Sequence, residues 1–268
     1  MSTAALSWLH AQIVLAGVSG LSIGFTMGLV GGGAGMLAVP LLLYVVKVGD
    51  PHVAIGTTAA SIAVTALVNL AGYAREGLVR WRSGSVFAAA GVAGAFAGSR
   101  WSLKVEGGEV MLLLAAIVAI VAVLMFSRAH SRSRIEAPTE LASSGRGLAT
   151  AGAGVAVGGM AGFFGISGGF LTVPALHFIA RISMLEAVAS SLVSVVVFGA
   201  TTALNYALAG MVSVPLALAL VVGGVAGGRA GMRTAKALAD KGHTLRQVFA
   251  AMLLLIAAYI AYRSLTNA

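Results

Sequence analysis

Gly31-Gly32-Gly33-Ala34-Gly35 interrupts an apolar run and leads into Met36-Leu37-Ala38-Val39-Pro40. A second interruption, Gly165-Ile166-Ser167-Gly168-Gly169, leads into Phe170-Leu171-Thr172-Val173-Pro174. Glycines without a Cβ let a backbone come close to a ligand. Where such a run opens a helix, the first N–H groups lack helical partners and the dipole adds partial positive charge. That is the chemistry of an oxyanion site built without lysine or arginine. The plainer reading is close helix packing, which suits Gly20, Gly24 and Gly28 at four-residue spacing. For the two interruptions the binding reading is favoured, because a short apolar segment with a matched proline follows each one. For Gly91, Gly94, Gly98, Gly224, Gly227 and Gly231, packing is favoured.

Hydroxyls form the second set of candidates. Thr57, Thr58 and Ser61 open one long apolar segment, and Ser190, Ser191 and Ser194 open another. Hydroxyls one turn apart share a helix face and can ligate an oxyanion or sodium. They can equally bond back to their own backbone, and the sequence leaves both readings open. Asn69 and Asn205 lie late in the same two segments. A buried amide must find a partner, either the opposite helix or a substrate, and interhelical structure is the preferred reading. His177 is the histidine deepest within a segment and can relay a proton or be a satisfied structural group. Lys47 and Arg181 close the short segments, where they can draw anions to each mouth or complement a helix C-terminus. Gly165-Ile166-Ser167-Gly168 also reads as G-x-S-G, the nucleophile motif of rhomboid intramembrane proteases. That chemistry needs a histidine base from a later membrane helix, and the later ones are His177, just past the motif, and His243 in a charged stretch. The protease reading is therefore weak.

The elements that must position these groups are membrane helices. In 268 residues the hydrophobic share is 59% and the charged share 9%, where soluble domains approach a quarter charged. Several apolar runs reach spanning length. The absence of cysteine excludes disulfides, thiolate metal sites and persulfide relays. The net charge of +9 resides in short loops, which fits cytoplasmic loops and excludes a nucleic-acid-binding domain. Met1 to His10 carries no basic residue, so the first segment is expected to stay rather than be cleaved as a signal peptide.

The chain is duplicated. Pro40 and Pro174 stand 134 residues apart, and at that offset Gly24, Gly28, Gly31 and Gly35 meet Gly158, Gly162, Gly165 and Gly169. Lys47 then meets Arg181, and Ala54-Ile55-Gly56-Thr57 meets Val188-Ala189-Ser190-Ser191. After one residue is lost, Tyr73, Gly77 and Val79 match Tyr206, Gly210 and Val212. The first repeat is assigned to residues 1–126, a polar linker to 127–146 and the second repeat to 147–268. Each repeat divides into five segments: 11–30, 36–46, 53–73, 84–99 and 110–126, then 147–164, 170–180, 187–209, 212–228 and 248–262.

Five segments per half put 13 Lys and Arg on one side of the membrane and 4 on the other, whereas four per half would split them 9 to 8. The positive-inside rule prefers the first count. It places both termini outside and the linker in the cytoplasm, and an odd number per half inverts the second half relative to the first. The expected fold is an all-α integral membrane protein of about ten helical segments in two inverted repeats. Inversion brings the two breaks in from opposite faces to meet near the midplane.

On Gly28 through Pro40, Ala54-Ile55-Gly56-Thr57-Thr58, and Gly162 through Pro174, the chain resembles the TauE/SafE family of membrane proteins, often described as sulfite exporters. The resemblance covers almost the whole chain. It implies a secondary transporter of small sulfur-containing or organic anions, such as sulfite, sulfoacetate or related sulfonates and carboxylates, in a bacterial cytoplasmic membrane. No nucleotide-binding loop or catalytic constellation is found, so the expectation is a non-enzyme with no cofactor, driven by a proton or sodium gradient. An anion channel of the same architecture is the alternative. The expected partners are the anion and the bilayer, with no nucleic acid, and the glycine faces permit a homodimer.

Overall fold

A computed structural model describes residues 3–105, 143–164, 169–180 and 182–239, and every regular element among them is helical. In chain order these are α1 (Thr3–Val30), a 3-10 turn (Gly31–Ala34), α2 (Gly35–Tyr44), α3 (Pro51–Arg75) and α4 (Trp81–Ser102). The second half supplies α5 (Ser143–Phe164), α6 (Gly169–Ile179), α7 (Met184–Leu208) and α8 (Val214–Ala239). Among the described residues, four stretches are long and apolar enough to cross a membrane: Ala11–Val30, Pro51–Arg75, Met184–Leu208 and Val214–Ala239. Helix α4 has 22 residues, roughly 33 Å at 1.5 Å per residue. The apolar part of α5, Ala149–Phe164, is shorter. The segments expected at 110–126 and 248–262, and most of the linker, lie outside the described residues.

Local signals start the long helices. Asp50 caps α3 by accepting from the His52 N–H at 2.8 Å, with Pro51 at the first helical position. Ser183 caps α7 through a full capping box with Glu186. Both helices have 25 residues, so the residue lost between the halves lies before these caps. This corrects the register proposed for the helix starts. Thr57 corresponds to Ser190 and Thr58 to Ser191, 133 apart.

The helices pair across the halves, α1 with α8, α5 with α4, and α3 with α7. Glycines set these contacts. A Cβ on Gly20, Gly24 or Gly28 would collide with the α8 backbone at Leu220, Gly224 or Gly228. A Cβ on Gly154, Gly158 or Gly162 would collide in the same way with α4 at Phe87, Gly91 or Ala95. Gly227 and Gly231 press on Leu21 and Phe25, as Gly94 and Gly98 press on Val155 and Gly159. Every one of these contacts in the α1–α8 pair therefore has a counterpart at the duplicated positions of the α5–α4 pair. Apolar side chains offer little driving force for association inside a bilayer, so such small-residue contacts hold the helices together.

Polar contacts sort to two ends of the bundle. At one end Arg80 bridges to Glu186, with Nη2–Oε1 at 2.5 Å, and Lys236 Nζ lies 2.6 Å from Glu76 Oε1. At the other, Ser213 N–H donates to Thr57 Oγ1 at 2.9 Å, and Asn205 Nδ2 donates to Ser99 Oγ at 2.6 Å. Gln12 Nε2 donates at that second end to the Val46 carbonyl at 3.3 Å. Helix α2 thus returns toward the end from which α1 started.

Candidate functional site

Helix α1 stops at Val30 because Gly31 takes φ +73°, a left-handed backbone available at little cost to glycine. A Cβ there would sit 2.6 Å from Ser191 Oγ, 3.0 Å from the Val188 carbonyl and 3.2 Å from Val173 Cγ2. The first break is thus enclosed by α6 and α7 of the other half. Two side chains hold its backbone. The Gly32 N–H donates to Ser191 Oγ at 3.4 Å, and that hydroxyl donates onward to the Val188 carbonyl at 2.8 Å. Gly28 belongs to the last turn of α1, where carbonyls run out of helical donors. The Tyr73 hydroxyl donates to it at 2.6 Å. Tyr73, Ser191, Val173 and Val188 are all fully buried.

Gly33, Ala34 and Gly35 continue through the 3-10 turn into α2. Pro40 inside α2 has no N–H to offer the Met36 carbonyl, and Pro174 inside α6 has none for that of Phe170. Each proline therefore leaves one carbonyl in the first turn of its short helix without its helical donor. Gly165, Ile166, Ser167 and Gly168 lie outside the described residues, as does Arg181. Gly169 opens α6.

The hydroxyl candidates divide by what they touch. Thr57 Oγ1 accepts from Ser213 N–H, and Ser190 Oγ accepts from Arg80 N–H at 2.8 Å, so this pair anchors the two interhelical loops. Thr58 Oγ1 donates to the carbonyls of Ala54 and Ile55, and Ser61 Oγ to that of Thr58. Ser191 is the hydroxyl that reaches the break. Ser194 is fully buried, and its Oγ has no partner among the described residues.

The remaining candidates make other contacts. Asn205 also donates to the Phe96 carbonyl at 3.4 Å, tying α7 to α4. Asn69 is buried against Gly228 of α8, with Nδ2 unpartnered among the described residues. His177 Nδ1 lies 2.9 Å from the Ile182 carbonyl, which can only accept, so that nitrogen carries the proton and closes the turn after α6. Lys47 is exposed beyond α2 at φ +60°. A cavity of about 540 Å³ opens between α4 and α7 near Arg100 and Asn205, and one of about 520 Å³ between α3 and α8 near Arg75 and Asn69. Neither is lined by the break, where Gly31, Gly32 and Gly35 are buried. Among the described residues no three His, Asp or Glu side chains gather as metal ligands.

Sequence reasoning used Tyr73 only to mark the repeat. The signal that points to it is chemical, because a tyrosine that closes an apolar segment must find a partner for its hydroxyl once buried. Tyr73→Phe removes the donor to Gly28, and Ser191→Ala removes the acceptor for Gly32. Each is expected to lower stability by about 1–2 kcal/mol. Because both act on one turn of backbone, the double variant should depart from additivity by at least about 0.5 kcal/mol. Thermal unfolding of the four proteins in detergent checks this, and strictly additive shifts would refute a shared role.

The family model described as Sulfite exporter TauE/SafE matches residues 16–260. The chain belongs to the TauE/SafE family. A probable membrane transporter protein of Xylella fastidiosa (strain Temecula1) is 40% identical over 96% of this chain and 97% of its own. The probable membrane transporter protein YunE of Bacillus subtilis (strain 168) is 26% identical over 95% of this chain and 99% of its own. No solved structure matches. With its apolar helices, this TauE/SafE chain is a multi-pass membrane transporter.

Proposed function

We propose that this TauE/SafE protein is a secondary carrier of a small oxyanion, sulfite or a sulfonate or carboxylate of similar size, bound at the two glycine breaks. The observation that carries the reading is the first break itself: the Gly32 N–H in the turn that leads into α2, in a stretch free of lysine and arginine, walled by α6 and α7 of the opposite half. Backbone donors and helix dipoles suit an oxyanion. Ser191 Oγ occupies the Gly32 N–H in this structure, and an incoming oxyanion takes its place.

Two inverted repeats of five segments account for the reciprocal glycine contacts, which pair the first helix of each half with the fourth of the other. The framework is reciprocal while the two tyrosine contacts are not. Tyr73 donates to Gly28, but Tyr206, its counterpart, donates to Ser102 Oγ at 3.0 Å rather than to Gly162. A symmetric frame with unlike tyrosine contacts suits alternating access, since exchanging the two local arrangements would expose the site to the other face. The arginine-rich end, with Arg75, Arg80, Arg82, Arg229, Arg233 and Lys236, is cytoplasmic, and the end with Lys47, Arg100 and Lys104 faces outward. Both termini then lie outside the bacterial inner membrane, the linker lies inside, and a proton or sodium gradient drives the cycle. The glycine faces also admit a homodimer.

Uptake of radiolabelled sulfite and sulfoacetate into proteoliposomes, with and without imposed proton and sodium gradients, tests this. The expected result is saturable flux that grows with one gradient. Non-saturating flux indifferent to both gradients would replace the carrier with a channel.

A further inference from the structure

The cavity of about 520 Å³ between α3 and α8 is lined by Asn69, Arg75, Glu76, Arg229, Met232 and Arg233, among others. Arginines at one end of a membrane protein need no ligand to explain them. Two further features do. Asn69 is 3% exposed, and its Nδ2 has no acceptor among the described residues, although the amide is pressed on the α8 backbone at Gly228, where any Cβ would take its place. A buried donor left unpaired is costly, so the site is short of one acceptor. The cavity's apolar rim also continues outward. Leu67 on α3 is 55% exposed and Val64, one turn earlier, 47%, a strip that in a bilayer faces acyl chains.

Charge accounting leaves the cavity cationic. Glu76 is its one carboxylate, and it is bound to Lys236 at 2.6 Å. Arg75, Arg229 and Arg233 have no carboxylate partner among the described residues. The duplicated position offers a natural comparison, the cavity with Arg100, Lys104 and Asn205. There the amide is already spent on Ser99 and Phe96, and the Arg100 guanidinium stacks 5.0 Å from the Phe96 ring centre. One cavity is satisfied and the other is not.

We infer that the α3–α8 cavity binds a phosphate-type oxyanion, supplied by the headgroup of an anionic phospholipid whose chains lie along Leu67 and Val64. Arginine forks match phosphate oxygens in pairs, and basic pockets between membrane helices hold such headgroups. The Asn69 amide provides a further N–H donor beneath the arginines. This site is separate from the glycine breaks and does not depend on what they carry.

The test uses the full-length protein in detergent, with native mass spectrometry and thermal unfolding in the presence of phosphatidylglycerol, phosphatidylcholine or inorganic phosphate. Phosphatidylglycerol should be retained at least about tenfold better than phosphatidylcholine and should raise the unfolding midpoint. The pair Arg229→Gln and Arg233→Gln should lose about tenfold or more of that retention. The pair Arg100→Gln and Lys104→Gln should change it less than about twofold. Asn69→Asp, which puts a carboxylate beneath the arginines, should weaken retention like the arginine pair. Equal protection by millimolar inorganic phosphate, lost in the same arginine variants, would keep the oxyanion site and assign its source to a free anion. Retention without preference for the anionic lipid, or equal loss in both pairs of variants, would overturn the proposal.

Discussion

Gly31→Val is expected to abolish the proposed anion uptake in proteoliposomes, with flux falling at least about tenfold while the protein still reaches the membrane. Two penalties coincide at this position. A left-handed backbone costs a residue bearing a Cβ about 1–2 kcal/mol, and more when it is β-branched. The Cβ would also enter the space of Ser191 Oγ, the Val188 carbonyl and Val173. Those atoms belong to fully buried residues, so relief requires the break to move away from α7. The Gly32 N–H and its Ser191 acceptor then separate, and the donor geometry is lost. Gly77 separates the two causes, because it has φ +71° but nothing within 4 Å of an added Cβ. Gly77→Ala should carry the backbone penalty of about 1 kcal/mol and keep transport near wild type. If Gly31→Val transports normally, or Gly77→Ala fails equally, the break is not where substrate binds.

Gly24→Leu is expected to prevent folding altogether. An added Cβ would lie 2.6 Å from both Cα and carbonyl carbon of Gly224, and nearer still to its oxygen. Backbone meets backbone here, so no rotamer change relieves the collision and the helices must part. Over-packing in ordinary cores costs about 1–3 kcal/mol. Here separation also forfeits the glycine contacts above and below, so the loss should exceed that range. The reciprocal position predicts the same for Gly158→Leu, which would strike Gly91. Gly152→Leu is the control, since nothing lies within 4 Å of it. Size-exclusion profiles of fluorescent fusions decide the matter. A monodisperse Gly24→Leu protein melting within a few degrees of wild type would contradict the α1–α8 packing.

Much of this protein is written in local pattern. Apolar runs of spanning length mark membrane helices, Asp50-Pro51 and Ser183 with Glu186 mark helix starts, and Gly31 and Pro40 mark an interruption. Each of these signals acts over a few residues, through backbone conformation or the need to bury apolar surface, and so survives without tertiary context. The duplication is legible for the same reason, because glycine cannot be replaced where helices touch and therefore leaves a recurring mark. The one-residue slip between the halves was legible too, but its place was not. Ala54 matches Val188 as plausibly as Ala187 does, and only the two capped helices of equal length decide for Ala187.

Partner identity belonged to the tertiary structure alone. Nothing near Ser191 in sequence says that it meets Gly32, 159 residues away, while Ser190 next to it anchors Arg80. Thr57, Thr58, Ser61, Ser190, Ser191 and Ser194 look alike as hydroxyls in apolar helices, yet they divide into loop anchors, backbone-bonded groups, one contact with the break and, in Ser194, a buried hydroxyl with no partner among the described residues. Asn69 and Asn205 are equally indistinguishable on the page, and the presence of Ser99 and the Phe96 carbonyl near Asn205 leaves one amide satisfied and the other open among the described residues. The physical reason is that a hydrogen bond is decided within about 3.5 Å, a distance the chain closes only when helices from both halves have packed. Composition and periodicity determined that this chain crosses a membrane and breaks there; packing decided which side chains stand at the break.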